Sequence, residues 1–536
     1  MDPHLVFSMP MFKDFVPEKL RPWIYVFIVC CFQMSGGLYL GSLNQLIGGR
    51  SFMREDILMC LYTNLAGMAI WFPMLFRMKF RFTNKTLLTA SASVLIICNL
   101  LTPIVSFLPL LWFICFISGI CKIQGTFECI SNIQLWFAPQ RNFKLFFPIL
   151  MLIIMGNMHM SDIVTTYITY HYGWKYMHLL IVLLLIAVLL IQTTLVRHVR
   201  IAPKAKLYGI DTLGLILWAL LLLQVSFILC FGDWYDWTNS PVILTLALTA
   251  LVTLYACIHR MFRVHHPYLT PKLWESKNFR RILFITIIGE FLLATEHVLE
   301  EIFYEEVMHY GEMVTVRLEW VVLAGVVCAV LFALWWMYRM NYTYIRLLIV
   351  SFAFMAVYMI GFYFNIASDI NIEKLYFPVF CRGFASTILS IVLLTTLQQS
   401  LSFEYFFQGL GVFNALHMIV GGVCGAAVYA KFFSYYVMDN IMRYGSAVTA
   451  VEYSASPFDF GHFFEGFLEQ MMEISIKQIY GWVIYACIIL FLCLLLYDFP
   501  IRREFRNLPP WKSVRPFGRR NSSSVDSIIS SHSPAD

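Results

Sequence analysis

Residues 282–306 read ILFITIIGEFLLATEHVLEEIFYEE. The run begins as apolar as any in the chain, then carries six glutamates and a histidine. A surface helix of a soluble protein accounts for the charges but not the flank. A plain membrane anchor accounts for the flank but not the charges. Composition decides between them. The chain has 536 residues, 60% of them hydrophobic and 13% charged, with mean hydropathy +0.72. A soluble chain is about 25% charged, and folding into one core would not hide so much apolar surface. Apolar runs recur along the whole length, and about 20 such residues cross a bilayer. The chain therefore reads as an all-α polytopic membrane protein, because barrel strands would alternate over about 10 residues instead.

Fourteen spans are expected, at 23–47, 56–76, 86–105, 108–130, 145–169, 177–196, 211–231, 241–261, 282–304, 318–338, 346–364, 375–398, 405–430 and 478–498. With the N-terminus placed in the cytoplasm, 28 Lys and Arg fall in inside segments and eight in outside segments. Basic residues favour the cytoplasmic side, so both termini are expected inside. The +6 net charge follows from this bias and gives no reason to invoke nucleic acid. No small-residue cleavage site follows the first apolar run, so that span is expected to be its own start-transfer signal. All fourteen cysteines lie in or beside apolar runs without metal-ligand spacing, so neither disulfides nor zinc is expected. No GxxxxGK[ST] occurs, so ATP is not expected to drive the chain directly. The tail after Arg520 is Ser-rich and expected to be disordered.

The most specific passage is 208–279. Asp211 and Gly214 open one span; Gly232, Asp233, Trp237, Ser240 and Pro241 mark the next turn; Pro267, Asn278 and Phe279 follow the second span. Arg382-Gly383 with TTLQQ downstream, QGLGVFNALHMIVGGVCGAAV at 408–428, Gln124-Gly125 and Gly173-Trp174 continue the pattern. Together these resemble the fourteen-helix drug:proton antiporter branch of the major facilitator superfamily, over roughly 22–500. The resemblance implies the major facilitator fold: two six-helix bundles plus two extra central helices. It places a cytoplasmic N-terminus at 1–22, a first bundle at 23–200, the inserted pair at 201–265 and a second bundle at 266–500. An outside loop at 431–477 and a cytoplasmic tail at 501–536 complete the division. It further implies a multidrug-efflux type of transporter in the inner (plasma) membrane. Relatives in two-membrane bacteria work with a periplasmic adaptor and an outer-membrane channel, which the resemblance offers as partners.

The first half departs from the family pattern. FRMKFRFTNK at 76–85 keeps the basic residues but lacks the family's Asp and Gly residues. Cys121 replaces an Arg, Ser161-Asp162 and Thr165-Thr166 stand in place of Gly-Pro…Gly-Gly, Ser35 stands near the helix-one Asp, and His417 replaces an Arg. These departures bear on drug/proton exchange more than on the fold.

The candidate residues follow from where charge meets grease. In an ideal helix starting near Arg281, Glu290 lies about 13 Å in. At about 100° per residue, Glu290, His297, Glu301 and Glu305 share a face, with Glu300 on its flank and Glu296 farther round. A charge at the bilayer centre costs at least about 2.5–3.5 kcal/mol, so this face is expected to line an aqueous path or meet partner charges. Two readings stand for Glu290. It is a proton coupler, since a carboxyl taken out of water favours its neutral form, or it is one end of a static ion pair with Arg382 or Lys122. Glu300, Glu301, Glu305 and Glu306 are expected in a solvated outer vestibule. Asp162 lies in the polar interruption MGNMHMSDIVTTY at 155–167 and is the second coupling candidate. Lys122 is expected to be neutral or paired with Asp162 or Glu290. Arg382 cannot shed its charge and needs a carboxylate or an anionic substrate. Asn157, Thr166, Gln124 and His417 are candidate cavity residues. The glycines at 36–41 and 421–427 are read as packing glycines.

The expected function is a proton-coupled secondary transporter exporting hydrophobic or amphipathic small molecules by alternating access, with no cofactor and no enzymatic activity. Two rivals stay open: a family member that has become a sensor or assembly subunit, and a membrane-embedded, His-dependent enzyme. The thirteen histidines scatter without an HxxxH or HxxHH box, which weighs against the enzyme.

Overall fold

The computed structural model describes residues 9, 11–36, 46–47, 49, 52–137, 143–199, 211–339, 344–446 and 460–501. Among these residues the architecture is all-helical, apart from one isolated bridge between Phe12 and Val196. That bridge, with Lys13 N–H donating to Leu195 O at 2.9 Å and Arg197 N–H to Met11 O at 2.8 Å, ties the N-terminal segment to the end of the sixth helix. Among the described residues thirteen helices are long and apolar enough to cross a membrane. They are α2 (Arg54–Arg81), α3 (Asn84–Leu101), α4 (Leu108–Phe137), α5 (Phe143–Tyr172), α6 (Trp174–Leu195), α7 (Thr212–Cys230), α8 (Pro241–Arg263), α9 (Lys277–Val307), α10 (Glu312–Met337), α11 (Tyr344–Asn365), α12 (Ile372–Ser400), α13 (Phe403–Gly445) and α14 (Phe463–Leu496 of the helix Phe460–Ile501). The shorter α1 (Arg21–Met34) precedes them. Most of the span expected at 23–47 beyond Ser35, including the glycines after Gly36, falls outside the described residues, as do the tail after 501 and parts of 1–22, 201–265 and 431–477.

Local chemistry sets several helix starts. Thr83 accepts from Thr86 N–H at the start of α3, and Ser276 accepts from Phe279 N–H at the start of α9. Asp211 does more. Its Oδ1 accepts from Gly214 N–H at 2.9 Å, capping α7, and from Arg260 at the end of α8 at 2.7 Å. Its Oδ2 accepts from Tyr268 N–H at 3.3 Å. A Cβ at Gly214 would lie 2.1 Å from Asp211 Oδ2. The Asp-x-x-Gly pair is thus an N-cap that also clamps the start of α7 to the end of α8.

Two close helix crossings organise the halves. Where α2 meets α4, a Cβ on Gly119 would fall 2.0 Å from Asn64 O, and one on Gly67 would fall 2.2 Å from Phe116 O. Where α10 meets α12, a Cβ on Gly383 would fall 2.6 Å from Val322 O, and one on Gly325 would fall 2.5 Å from Phe380 O. Without a hydrophobic drive between helices in lipid, close backbone approach at small residues supplies much of the packing. The lipid side is the opposite case: Trp482, Tyr485, Ile489, Leu492 and Leu496 form one exposed stripe on α14 at helical spacing.

Three expectations need correction. The spans expected at 405–430 and 478–498 continue as helix well past their apolar runs. Residues 431–444 contain neither Gly nor Pro to stop a helix, and Asn440 joins the two helices by donating to Ser475 at 2.9 Å and Gln478 at 3.1 Å. The stretch 431–477 is therefore helical at both of its described ends rather than a loop. Third, α9 is not one regular helix. An α-helix (Lys277–Leu293) gives way to a 3₁₀ turn (Ala294–His297), a short α-turn (Leu299–Ile302) and a π-turn (Phe303–Val307). The shared face expected for Glu290, His297, Glu301 and Glu305 requires uniform rotation, which these turns interrupt.

Candidate functional site

The two halves meet along two seams, α2 against α13 and α5 against α10. The first seam is bridged near both ends of α2. At its start Arg54 pairs with Glu301 of α9, and Tyr62 donates to Gly422 O at 3.0 Å. Near its end the ring of Phe76 lies 4.8 Å from Phe403 and 4.6 Å from Phe407, with Phe127 of α4 at 5.4 Å from Phe407. Arg54 and Phe76 are about 33 Å apart along the helix at 1.5 Å per residue. The polar residues of interest lie between or beside these bridges.

Glu290 meets His417. Oε1 of the buried glutamate lies 2.8 Å from His417 Nδ1 on α13, and the imidazole is 48% exposed. This part of α13 is a π-segment, His417–Cys424. Its glycines seat it on α9: a Cβ on Gly421 would lie 2.9 Å from Glu290 Oε2, and one on Gly425 would lie 2.3 Å from Ala294 Cβ. Neither Arg382 nor Lys122, the partners expected for Glu290 in a static pair, is the one it has.

Arg382 is held elsewhere. It pairs with Glu300 and, at 3.2 Å, with Glu296. Glu300 also accepts from Tyr304 at 2.9 Å and from Tyr358, whose hydroxyl lies 3.3 Å from that of Tyr480. Glu300 is 1% exposed. The expectation of a solvated vestibule is wrong for this residue, because past the 3₁₀ turn Glu300 sits in a buried network with Arg382, Tyr304 and Tyr358, while Glu301 meets Arg54. His297 is exposed, with no hydrogen bond or ion pair among the described residues.

A second cluster joins α5 to α10. His159 Nδ1 lies 2.8 Å from Glu319 Oε2. One turn on, Asp162 completes a group whose ligand atoms all lie within 4.8 Å of one another. Lys122 of α4 acts on Asp162 electrostatically and has no hydrogen bond or ion pair among the described residues. Its Nζ lies 3.4 Å from where a Cβ on Gly36 would stand. The neighbouring polar side chains turn inward on their own helix. Asn157 donates to Ile153 O at 2.6 Å and Thr166 to Asp162 O at 2.9 Å, a pattern in which side chains satisfy themselves on backbone carbonyls. Gln124 accepts from Trp71 Nε1–H at 2.8 Å, while its buried Nε2 has no hydrogen-bond partner among the described residues. Glu319 escaped the sequence reading because it sits at the polar edge of the run expected at 318–338. A carboxylate one residue inside a span was the available signal.

No protein family matches the sequence, and no curated protein matches it either. Solved structures do. The nucleoside transporter NupG, in a mutant form, superposes with a TM-score of 0.54 at 12% identity, over 89% of this chain and 99% of that one. The human organic anion transporter MFSD10 gives 0.54 at 8% identity, over 89% of this chain and 100% of that one. A structure from the proton dependent oligopeptide transporters gives 0.55 at 12% identity, over 91% of this chain and 100% of that one. The fold is that of the major facilitator transporters. The chain is a multi-pass membrane protein, and at these identities the likeness extends to the fold alone.

Proposed function

We propose that this chain is a proton-coupled secondary transporter that exports hydrophobic or amphipathic small molecules by alternating access, in a plasma or inner membrane with both termini cytoplasmic. One observation carries the reading: the buried carboxyl of Glu290 and the half-exposed imidazole of His417 meet across α9 and α13 at 2.8 Å. Both groups change charge by taking up one proton, and a structural tie between two helices does not require that. The α13 half of the pair sits in the seam against α2, where movement of one half against the other would alter its access to water. The fold supports a transporter, and among its structural neighbours the oligopeptide transporters are proton dependent. The excess of basic residues in segments 13–21, 77–85, 260–281 and the tail supports the orientation. The Asp211–Gly214 clamp and the inserted α7–α8 pair support the drug:proton antiporter branch. An adaptor and an outer-membrane channel rest on the family resemblance alone.

The test is proton flux in liposomes holding the purified chain, across a panel of amphipathic cations, anions and neutral compounds. Glu290→Gln is expected to insert normally and to lose transport driven by a pH gradient. Undiminished pH-driven flux in that variant would overturn Glu290 as the coupling group. Absence of flux and of substrate counterflow for every compound, in the wild type, would favour the sensor or assembly subunit instead.

A further inference from the structure

The cluster on α5 and α10 has a composition that proton transfer alone does not require. His159 and Asp162 lie three residues apart on α5, and Glu319 faces them from α10. One imidazole nitrogen and two carboxylates are a donor set suited to Zn²⁺ and similar borderline divalent ions. Metal–ligand bonds of about 2.0–2.2 Å place tetrahedral donor atoms roughly 3.4 Å apart. In this chain the three donor atoms already lie within 4.8 Å of one another, and His159 and Glu319 are at 2.8 Å. To reach that spacing the His159–Glu319 pair opens by about 0.6 Å and Asp162 closes in by about 1.4 Å at most.

Access and charge agree with this geometry. The side chains of His159 and Glu319 are 12% and 28% exposed, so the group is not sealed. Two carboxylates offset a dication, and Lys122 beside Asp162 leaves room for exchange rather than permanent occupancy. Three protein ligands also leave a coordination position open, as in exchangeable zinc sites.

We propose that His159, Asp162 and Glu319 form a divalent transition-metal site that joins the two halves of the protein across the α5–α10 seam. It is a site for a bound and released ion, and it is independent of the proton-coupling role assigned to Glu290. Because its ligands come from both halves, an ion held there ties α5 to α10 and opposes their relative movement.

Binding is tested on the full chain in detergent, so the outcome does not depend on transport. Zn²⁺ alone, titrated against a chromophoric chelator, is expected to bind at one equivalent, and His159→Gln and Glu319→Gln are each expected to weaken binding at least tenfold. His309→Gln, at a histidine outside this cluster, is expected to leave binding unchanged, as is the double change His265→Ala/His266→Ala. Binding that survives His159→Gln undiminished would overturn the proposal, and so would loss of binding in the His265/His266 variant. Should the seam variants fail to fold, X-ray absorption of the zinc-loaded wild type decides. One imidazole with oxygen neighbours supports the site, whereas two or more imidazoles, or sulfur, refute it. A wild type that binds no Zn²⁺ also refutes it, whatever the liposome flux shows.

Discussion

Glu290 on α9 and His417 on α13 share a contact of 2.8 Å, in a region where the resemblance would place an arginine at 417. The difference matters because an arginine holds its charge at every physiological pH, whereas a histidine does not. His417→Arg would give Glu290 a permanent counter-charge. The expected outcome is a folded protein whose pH-driven flux falls by an order of magnitude or more and loses its dependence on pH between about 5 and 8. Flux measured in liposomes across that range checks it; an unchanged profile would remove the pair from the coupling mechanism.

Arg382 carries a different expectation. Its guanidinium answers two carboxylates, and Glu300 has further hydrogen bonds from Tyr304 and Tyr358. Removing one partner of a buried ion pair costs about 3–5 kcal/mol, because the other charge is left without compensation. Arg382→Met is therefore expected to lower the melting temperature sharply in detergent. Arg382→Met combined with Glu300→Gln is expected to recover part of that loss, since the orphaned charge is gone. A double variant as unstable as the single one would mean that the guanidinium acts by packing alone.

The contrast between these two sites shows how much the sequence made legible. Span positions could be read because about 20 apolar residues are needed whatever the neighbours do, and the Asp211–Gly214 pair could be placed at a helix start because it matches the pattern that carries the resemblance. Partner assignment could not be read in the same way. A rotation of 100° per residue puts Glu301 on the face of Glu290, yet the 3₁₀ turn at Ala294–His297 breaks the register and buries Glu300 instead. That break depends on contacts with α13 and α11, including the approach of Gly425 to Ala294, and these contacts are distant in sequence. His417 escaped pairing with Glu290 for the same reason. The stretch 431–477 reads as a loop on the resemblance, although residues 431–444 hold neither Gly nor Pro to stop a helix.

The crossing of α2 and α4 yields a stability prediction. Gly119→Ala would put a methyl group 2.0 Å from Asn64 O, and neither backbone can withdraw without opening the crossing. Overpacking of this kind costs about 1–3 kcal/mol. Gly156→Ala is the control: its nearest neighbour would be Leu323 Cδ1 at 3.8 Å, and Ala is a better helix former than Gly by about 1 kcal/mol. Thermal unfolding in one detergent should show Gly119→Ala destabilised and Gly156→Ala unchanged or improved. Equal melting temperatures for the two would contradict the close crossing.

Between α9 and α10, His309 Nε2 lies 3.0 Å from Glu469 Oε1 of α14. The hydrogen bond to Glu469 raises the imidazole pKa from its ordinary value. A histidine raised on folding stabilises the folded state fully below its unfolded value of about 6.5. That contribution is lost as pH rises through the folded value. His309→Gln should therefore melt lower than wild type at about pH 5.5 and match it at about pH 8.5. A gap of the same size at both pH values would show that the contact does not depend on the proton.

The pair between Arg54 and Glu301 ties the start of α2 to α9, across the seam between the halves. Both side chains are partly exposed, at 36% and 28%. Exposed ion pairs contribute only about 0–1 kcal/mol to stability, so neither partner is expected to matter much to melting. Its consequence is conformational. A contact across the seam favours whichever state closes that end, and a shift of about 1.4 kcal/mol between two states changes their ratio tenfold. Arg54→Glu would set two negative charges against each other and disfavour that closed state. Flux should fall several-fold while the melting temperature stays within a few degrees. Exchanging the charges, with Arg54→Glu and Glu301→Arg together, should restore most of the flux because the attraction returns with its geometry reversed. If the exchanged pair is no better than the single variant, Arg54 serves something other than this contact. If neither variant changes flux, the bridge at this end of α2 is not part of the transport cycle.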